Sequence, residues 1–157
     1  MTRSFVRSVL AAAALATAAF GAHAQEPLKI GLILPMTGPF ASTGRQIDAA
    51  TRLYLAQHGD TVAGKKIEII LRDDAGTADT TRRIAQELVV RDKVVALAGF
   101  GLTPLALATG PIATQSKTPM VVMAAATSSI IKASPFIVRT SFTLPQATVG
   151  VAEWAAR

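Results

Sequence analysis

The chain has 157 residues, with 16 basic and 10 acidic side chains, two histidines and no cysteine. That length holds one domain with a sizeable core, and the lack of thiols excludes a cysteine nucleophile and any thiolate metal site. The basic residues are scattered, with only Lys65-Lys66 and Arg82-Arg83 adjacent, which reads as a solvated surface and not as a nucleic-acid patch.

The chain opens on an export leader. Arg3 and Arg7 form a positive start, and Val9 to Phe20 is an apolar stretch of 12 residues interrupted only by Thr17. At ~1.5 Å per residue it reaches ~18 Å, short of a hydrocarbon core of ~30 Å. Ala22-His23-Ala24 is a small-x-small cleavage site, so residues 1–24 are expected to be a signal peptide and Gln25 the mature start. Removing those 24 leaves 133 residues, carrying 14 basic and 10 acidic side chains. No later segment is long and apolar enough to span a membrane.

Residues 28–34 form a nearly continuous apolar run, as expected of a strand covered on both faces. Residues 35–43 read as a loop rich in Pro, Gly, Ser and Thr. A helix is predicted over 45–57, ended by His58-Gly59-Asp60. Residues 66–72 read as a second strand, 73–77 as a turn, and 77–91 as a helix capped by Thr77 or Asp79. A third strand at 94–98 leads into the loop Gly99-Phe100-Gly101-Leu102-Thr103, and Pro104 suits the first turn of a helix running to about Ser116. A fourth strand at 120–123, a loop at 124–129, a short fifth strand at 136–138 and a helix opened by Pro145 complete the chain. Strand and helix alternate at intervals of roughly 25 to 30 residues, the pattern of a parallel α/β sheet flanked by helices and built from right-handed crossovers. In such sheets ligands bind outside the carboxyl ends of the strands. Those ends are the loops at 35–43, 73–77, 99–103 and 124–129.

The last two of these loops share a chemistry. Both offer small residues, backbone N–H groups and a hydroxyl at a helix start: Thr103 before Pro104, and Thr127-Ser128 before Ile130. Such a site suits an anion, above all a carboxylate. The same hydroxyls also read as plain helix caps. Catalytic readings find little support. The one histidine after the leader, His58, lies near a helix end, away from these loops. Asp73-Asp74 reads as a turn-holding pair before it reads as an acid/base pair or a magnesium site. Gly99-Phe100-Gly101 lacks the third glycine of a dinucleotide loop, since Pro104 stands there. No phosphate-binding lysine loop and no serine elbow occurs.

The stretches KIGLILPMTGPFASTG, IEIILRDDAGTADTTRR, VVALAGFG, ATGPIATQSKTPMVVMAAAT and SPFIVRTSFTLPQ, spread from Lys29 to the C-terminus, together resemble the N-terminal part of a periplasmic substrate-binding protein. The family is the branched-chain amino-acid (leucine/isoleucine/valine-binding) one of ABC transporters. The resemblance implies the N-terminal lobe of a type I periplasmic-binding fold, with ligand clamped between two hinged lobes. It implies no enzymatic activity and no cofactor or metal. It further implies a periplasmic monomer that carries a small carboxylate-bearing solute, such as a branched-chain amino acid, to an inner-membrane ABC permease. By the family's pattern the ligand contacts fall on Thr43 after the first strand, on Leu102 and Thr103 after the third, and on Ala125 and Thr127 after the fourth. Leu102 stands where a serine is common and Thr43 where an aromatic is common. The region SSIIKASPFIVRTSFTLPQ also resembles members that take aromatic acids or amides. Family members run to well over twice 133 residues, so the expected division is a lobe at 25–143 and, at 144–157, the start of a truncated second lobe. The alternatives are a sensor domain of the same fold and a truncated product without function.

Overall fold

A computed structural model describes residues 26–157. The expected signal peptide lies outside the described residues. Six strands form one sheet in the order β2-β3-β1-β4-β5-β6, where β1 is Leu28–Leu34, β2 Thr61–Val62, β3 Lys65–Asp73, β4 Ala96–Gly99, β5 Met120–Val122 and β6 Ile137–Arg139. The helices are α1 (Ala41–His58), α2 (Ala78–Val90), α3 (Thr103–Ser116) and α4 (Leu144–Ala155), with a short 3-10 helix at Ser128–Lys132. Every pairing except β2–β3 is parallel, so the expected parallel sheet is present with one antiparallel edge strand added.

β1 sits at the centre because both its faces are apolar. Ile33 points to one side and joins Leu97, Phe100, Met120 and Val122 from neighbouring strands and loops. Ile84, Ala85 and Leu88 of α2 and Ala106, Ile112 and Ala113 of α3 close over them. Leu32 and Leu34 point to the other side, with Ala98, Ile69, Leu71 and Ile47. The second face is covered more thinly. α1 buries only Ala41 and Gly44, and an apolar groove of about 470 Å³ remains beside it, lined by Ile30, Ile47, Tyr54, Ile67, Ile69 and neighbours. Among the described residues no helix is long and apolar enough to cross a membrane.

β4, β5 and β6 sit within two residues of their expected bounds, and three other differences from the sequence-based expectation are larger. α1 begins at Ala41, four residues before Arg45, because the chain turns back on itself at once: Ala41 N–H donates to the Gly38 carbonyl and Thr43 N–H to Phe40. Gly44 permits that early start, since a Cβ there would lie 2.1 Å from the Pro35 carbonyl oxygen. The hairpin strand β2 was not expected. It is only two residues long and turns through Ala63 and Gly64, both at positive φ, and Ala-Gly is a weak hairpin signal beside Asn-Gly. The element after residue 127 is a 3-10 helix and not the start of an α-helix.

Candidate functional site

β1 is hydrogen-bonded to β3 on one side and β4 on the other. The crossover through α1 runs from β1 to β3 on one side, the crossover through α2 runs back from β3 past β1 to β4 on the other, and the strand order reverses there. A crevice forms at such a switch point, outside the carboxyl ends of the strands. It lies between the loops at 35–40 and 100–102.

The second loop is shaped by Gly99 and Phe100. Gly99 has φ +113°, and a Cβ on it would sit 2.1 Å from the Ile33 carbonyl oxygen. The residue must be glycine for β4 to lie this close to β1. Phe100 also adopts positive φ, at 65°. Its ring is fully buried in the core. Its N–H donates to Ile33 O at 2.9 Å, and its carbonyl accepts from Ala125 N–H at 3.0 Å. These contacts hold a conformation that is costly for a side-chain-bearing residue, and they tie the loops after β1, β4 and β5 together. Leu102 emerges at the mouth and lines a pocket of about 260 Å³ with Pro35, Thr37, Gly38, Phe40, Ala75 and neighbours.

Thr103 and Thr127 come together behind it. Their hydroxyl oxygens are 2.7 Å apart, although the residues are 24 positions apart in sequence. Neither hydroxyl caps a helix. The N-cap of α3 is Leu102, and Thr127, at the N-cap of the 3-10 helix, makes no side-chain cap bond. The capping reading is thereby corrected: the hydroxyls bond each other. In such a pair one hydroxyl donates to the other, and the second proton is left to point elsewhere. The start of α3, 14 residues long, has no side-chain cap to compete for an anion. Ala125 is buried, and its N–H is spent on Phe100. Its carbonyl is the group it can offer a ligand.

Thr43 stands apart from this group. It was expected in the loop after β1 but lies in the first turn of α1, half-buried; of the five expected contacts only Leu102 is among the residues lining the mouth pocket. The aspartates hold the neighbouring loop. Asp73 accepts from Met36 N–H (2.9 Å), the Thr37 hydroxyl (2.7 Å) and Ala75 N–H (3.0 Å). Burial pushes the Asp73 carboxyl up, but these bonds together outweigh it and hold the pKa below the usual range. Asp74 is fully buried and accepts from Gly76 N–H at 2.8 Å. Burial pushes its pKa up, with the Asp73 charge adding to the rise.

One residue escaped the sequence reading. Arg139, at the end of β6, donates from Nη2 to the Thr127 carbonyl and from Nη1 to the Phe142 carbonyl at 3.5 Å. Beside it, Leu144 N–H donates to the Ala126 carbonyl at 2.9 Å. The segment leaving β6 is thus bonded to the loop that carries Thr127. The available signal was a lone charge at the end of a short apolar strand, Phe136-Ile137-Val138-Arg139. A larger groove, about 560 Å³, lies elsewhere, between the C-terminal half of α1 and β3, with Arg52, Gly59, Asp60 and Glu68 among its lining. No strand carboxyl end or helix N-terminus points into it, so the smaller crevice at the switch point is the better candidate.

Residues 27–157 match a protein family described as periplasmic binding protein. A curated relative, the Leu/Ile/Val-binding protein homolog 6 of Brucella abortus, is 44% identical over 150 residues, which cover 94% of this chain and 38% of the relative. The chain thus spans under two-fifths of that relative's length. Among solved structures, a solute-binding protein of an ABC transporter from Rhodopseudomonas palustris BisB5 was determined in complex with 3,4-dihydroxybenzoic acid. It is 62% identical, with a TM-score of 0.81 over 83% of this chain and 36% of that one. A leucine-binding protein from Thermotoga maritima is 28% identical, with a TM-score of 0.77 over 83% and 37% of the two chains.

Proposed function

The chain belongs to the periplasmic binding protein family, and from that premise we propose that residues 25–157 form one wall of an extracytoplasmic solute receptor. The receptor would deliver a small carboxylate-bearing solute to an ABC permease. The observation that carries this reading is the Thr103–Thr127 hydroxyl pair. The two hydroxyls are held 2.7 Å apart at the uncapped start of α3 and at the sheet's switch point. Positioned hydroxyls and a helix N-terminus bind an anionic head group and carry out no bond-breaking step. Leu102, Thr103, the Ala125 carbonyl and Thr127 are the proposed contacts, and Thr43 is a peripheral one. Export to the periplasm follows from the leader at 1–24.

A branched-chain amino acid and an aromatic acid both carry the required carboxylate. The aromatic acid is favoured, because the relative that binds 3,4-dihydroxybenzoate is 62% identical and the leucine-binding one 28%. Either ligand would be covered on one side only by these residues. Affinity for residues 25–157 alone is accordingly expected at ~mM or weaker, since small ligands depend on near-complete burial. The test is a titration of that chain with 3,4-dihydroxybenzoate and with leucine, followed by backbone amide NMR shifts. Saturable shifts at Leu102, Thr103 and Thr127 are expected. Shifts confined to the α1–β3 groove, or none with either ligand, would refute the assignment of the site.

A further inference from the structure

The proposed contacts are uncharged, yet one charge stands directly behind them. Arg139 donates to the Thr127 carbonyl, while the Thr127 hydroxyl faces Thr103. Its guanidinium lies in no ion pair among the described residues. Arg52, Arg72, Arg82, Arg83 and Arg91, by contrast, each pair with a carboxylate. Arg139 Nε is moreover buried without a hydrogen-bond partner, and so is the hydroxyl of Ser141 two residues on. A half-buried guanidinium with no counter-charge and an unsatisfied N–H is costly to keep unless something negative is brought near it.

Resting on the reading of this crevice as a ligand site, we propose that Arg139 is the positioning residue that makes the site select an anionic head group over a neutral one of the same shape. It acts in two ways through Thr127. Its donation to the Thr127 carbonyl polarises the Thr127–Ser128 peptide, which strengthens the following N–H as a donor. Its unneutralised charge also favours a carboxylate, but not an amide, on the far side of the same residue. Asp73 and Asp74, the acids of the strand-end loops, lie at the end of β3, four strands away from β6, and both accept hydrogen bonds within their own loop; neither pairs with Arg139. Because Arg139 also reaches the Phe142 carbonyl, a ligand that tightens the Thr127 loop would draw on the segment leaving β6 as well.

The test compares 3,4-dihydroxybenzoate with 3,4-dihydroxybenzamide, which share a shape but differ in head-group charge and in one acceptor oxygen replaced by an NH2 donor, so the readout is the change in the acid-to-amide ratio on substituting Arg139. Amide NMR titrations use residues 25–157 of the wild type and of the variants Arg139→Gln and Arg139→Lys. Glutamine keeps a donor for the Thr127 carbonyl and removes the charge; lysine keeps the charge and loses the fork. The expected result is that Arg139→Gln weakens binding of the acid about tenfold, the scale of one unit charge in a half-buried site, and leaves the amide within about twofold. Arg139→Lys should retain most of the preference for the acid. An equal loss of acid and amide in Arg139→Gln would show a purely structural clamp and overturn the proposal, as would no loss at all. If Arg139→Gln does not fold, a wild-type preference for acid over amide that survives in Arg139→Lys supports the proposal, and its disappearance in Arg139→Lys overturns it. A wild type that binds neither compound overturns the site itself and this inference with it, an outcome distinct from a wild type that binds both equally, which overturns the inference alone.

Discussion

Gly99→Ala tests the geometry on which the whole crevice depends. The new methyl group would stand 2.1 Å from the Ile33 carbonyl oxygen, inside any tolerable contact, and the obstacle is backbone and not a flexible side chain. Relief requires β4 to move away from β1, and that breaks the 2.9 Å bond from Phe100 N–H to Ile33 O. Both residues are fully buried, so the separated donor and acceptor find no water, at a cost of about 1–3 kcal/mol. The φ of +113° adds roughly 1–3 kcal/mol of backbone strain for any residue with a Cβ. The sum is about 4 kcal/mol, a large part of the ~5–15 kcal/mol that holds an ordinary domain folded. With a urea m-value of ~2 kcal/mol/M for a domain of this size, the unfolding midpoint read by far-UV circular dichroism should fall by about 2 M. Ligand shifts at Leu102 and Thr103 should disappear even where the variant is folded. A variant that loses less than about 1 kcal/mol and still binds would show that the β1–β4 approach is not a constraint, and the argument for a fixed crevice would fail.

Other consequences are open to direct measurement. Thr103→Val and Thr127→Val should each weaken ligand binding about tenfold while changing stability by about 1 kcal/mol or less, the worth of one hydrogen bond; the double variant should be little worse than either single one, because both remove the same hydroxyl pair. Phe100→Ala should cost about 3–5 kcal/mol by opening a cavity under the turn, measured by chemical denaturation. The Asp73 pKa is lowered in the fold, so its stabilising contribution is complete above the unfolded pKa of about 4 and is lost as pH falls through the folded value. Acid titration of Asp73→Asn should therefore show a smaller loss of stability below about pH 4 than the wild type. Asp74, with its pKa raised by burial, has the opposite sign: its contribution is greatest below the unfolded pKa and falls as pH rises through the folded one. Trp154, the single tryptophan, is 77% exposed on α4. Its emission should be that of a water-exposed indole and should hardly change on unfolding, whereas the circular dichroism signal collapses.

The alternation of elements was legible because parallel strands and their covering helices differ in local pattern. The run at 28–34 and the four-residue spacing of Ile84 and Leu88 are properties of neighbours in sequence. Boundaries were less legible. The start of α1 depends on Gly44 fitting against Pro35, and Pro35 lies nine residues away on another element. The edge strand β2 is held by two pairs, Thr61–Lys66 and Val62–Lys65, too few residues to show a period.

The amino-acid sequence by itself determined the fold class and the order of the strand-end loops, since composition, periodicity and motif order all reside in the chain. The tertiary structure decided which hydroxyls work together. In the sequence Thr103 and Thr127 read either as anion-binding hydroxyls or as two separate caps; the sheet order places the ends of β4 and β5 side by side, and one hydroxyl bonds the other. It also wound Thr43 into the first turn of α1, and it bonded Arg139 of the last strand to the loop that carries Thr127. Local sequence fixes what each loop can offer. Which offers converge on one point depends on strand order and register, and these are set by contacts between residues far apart in the chain.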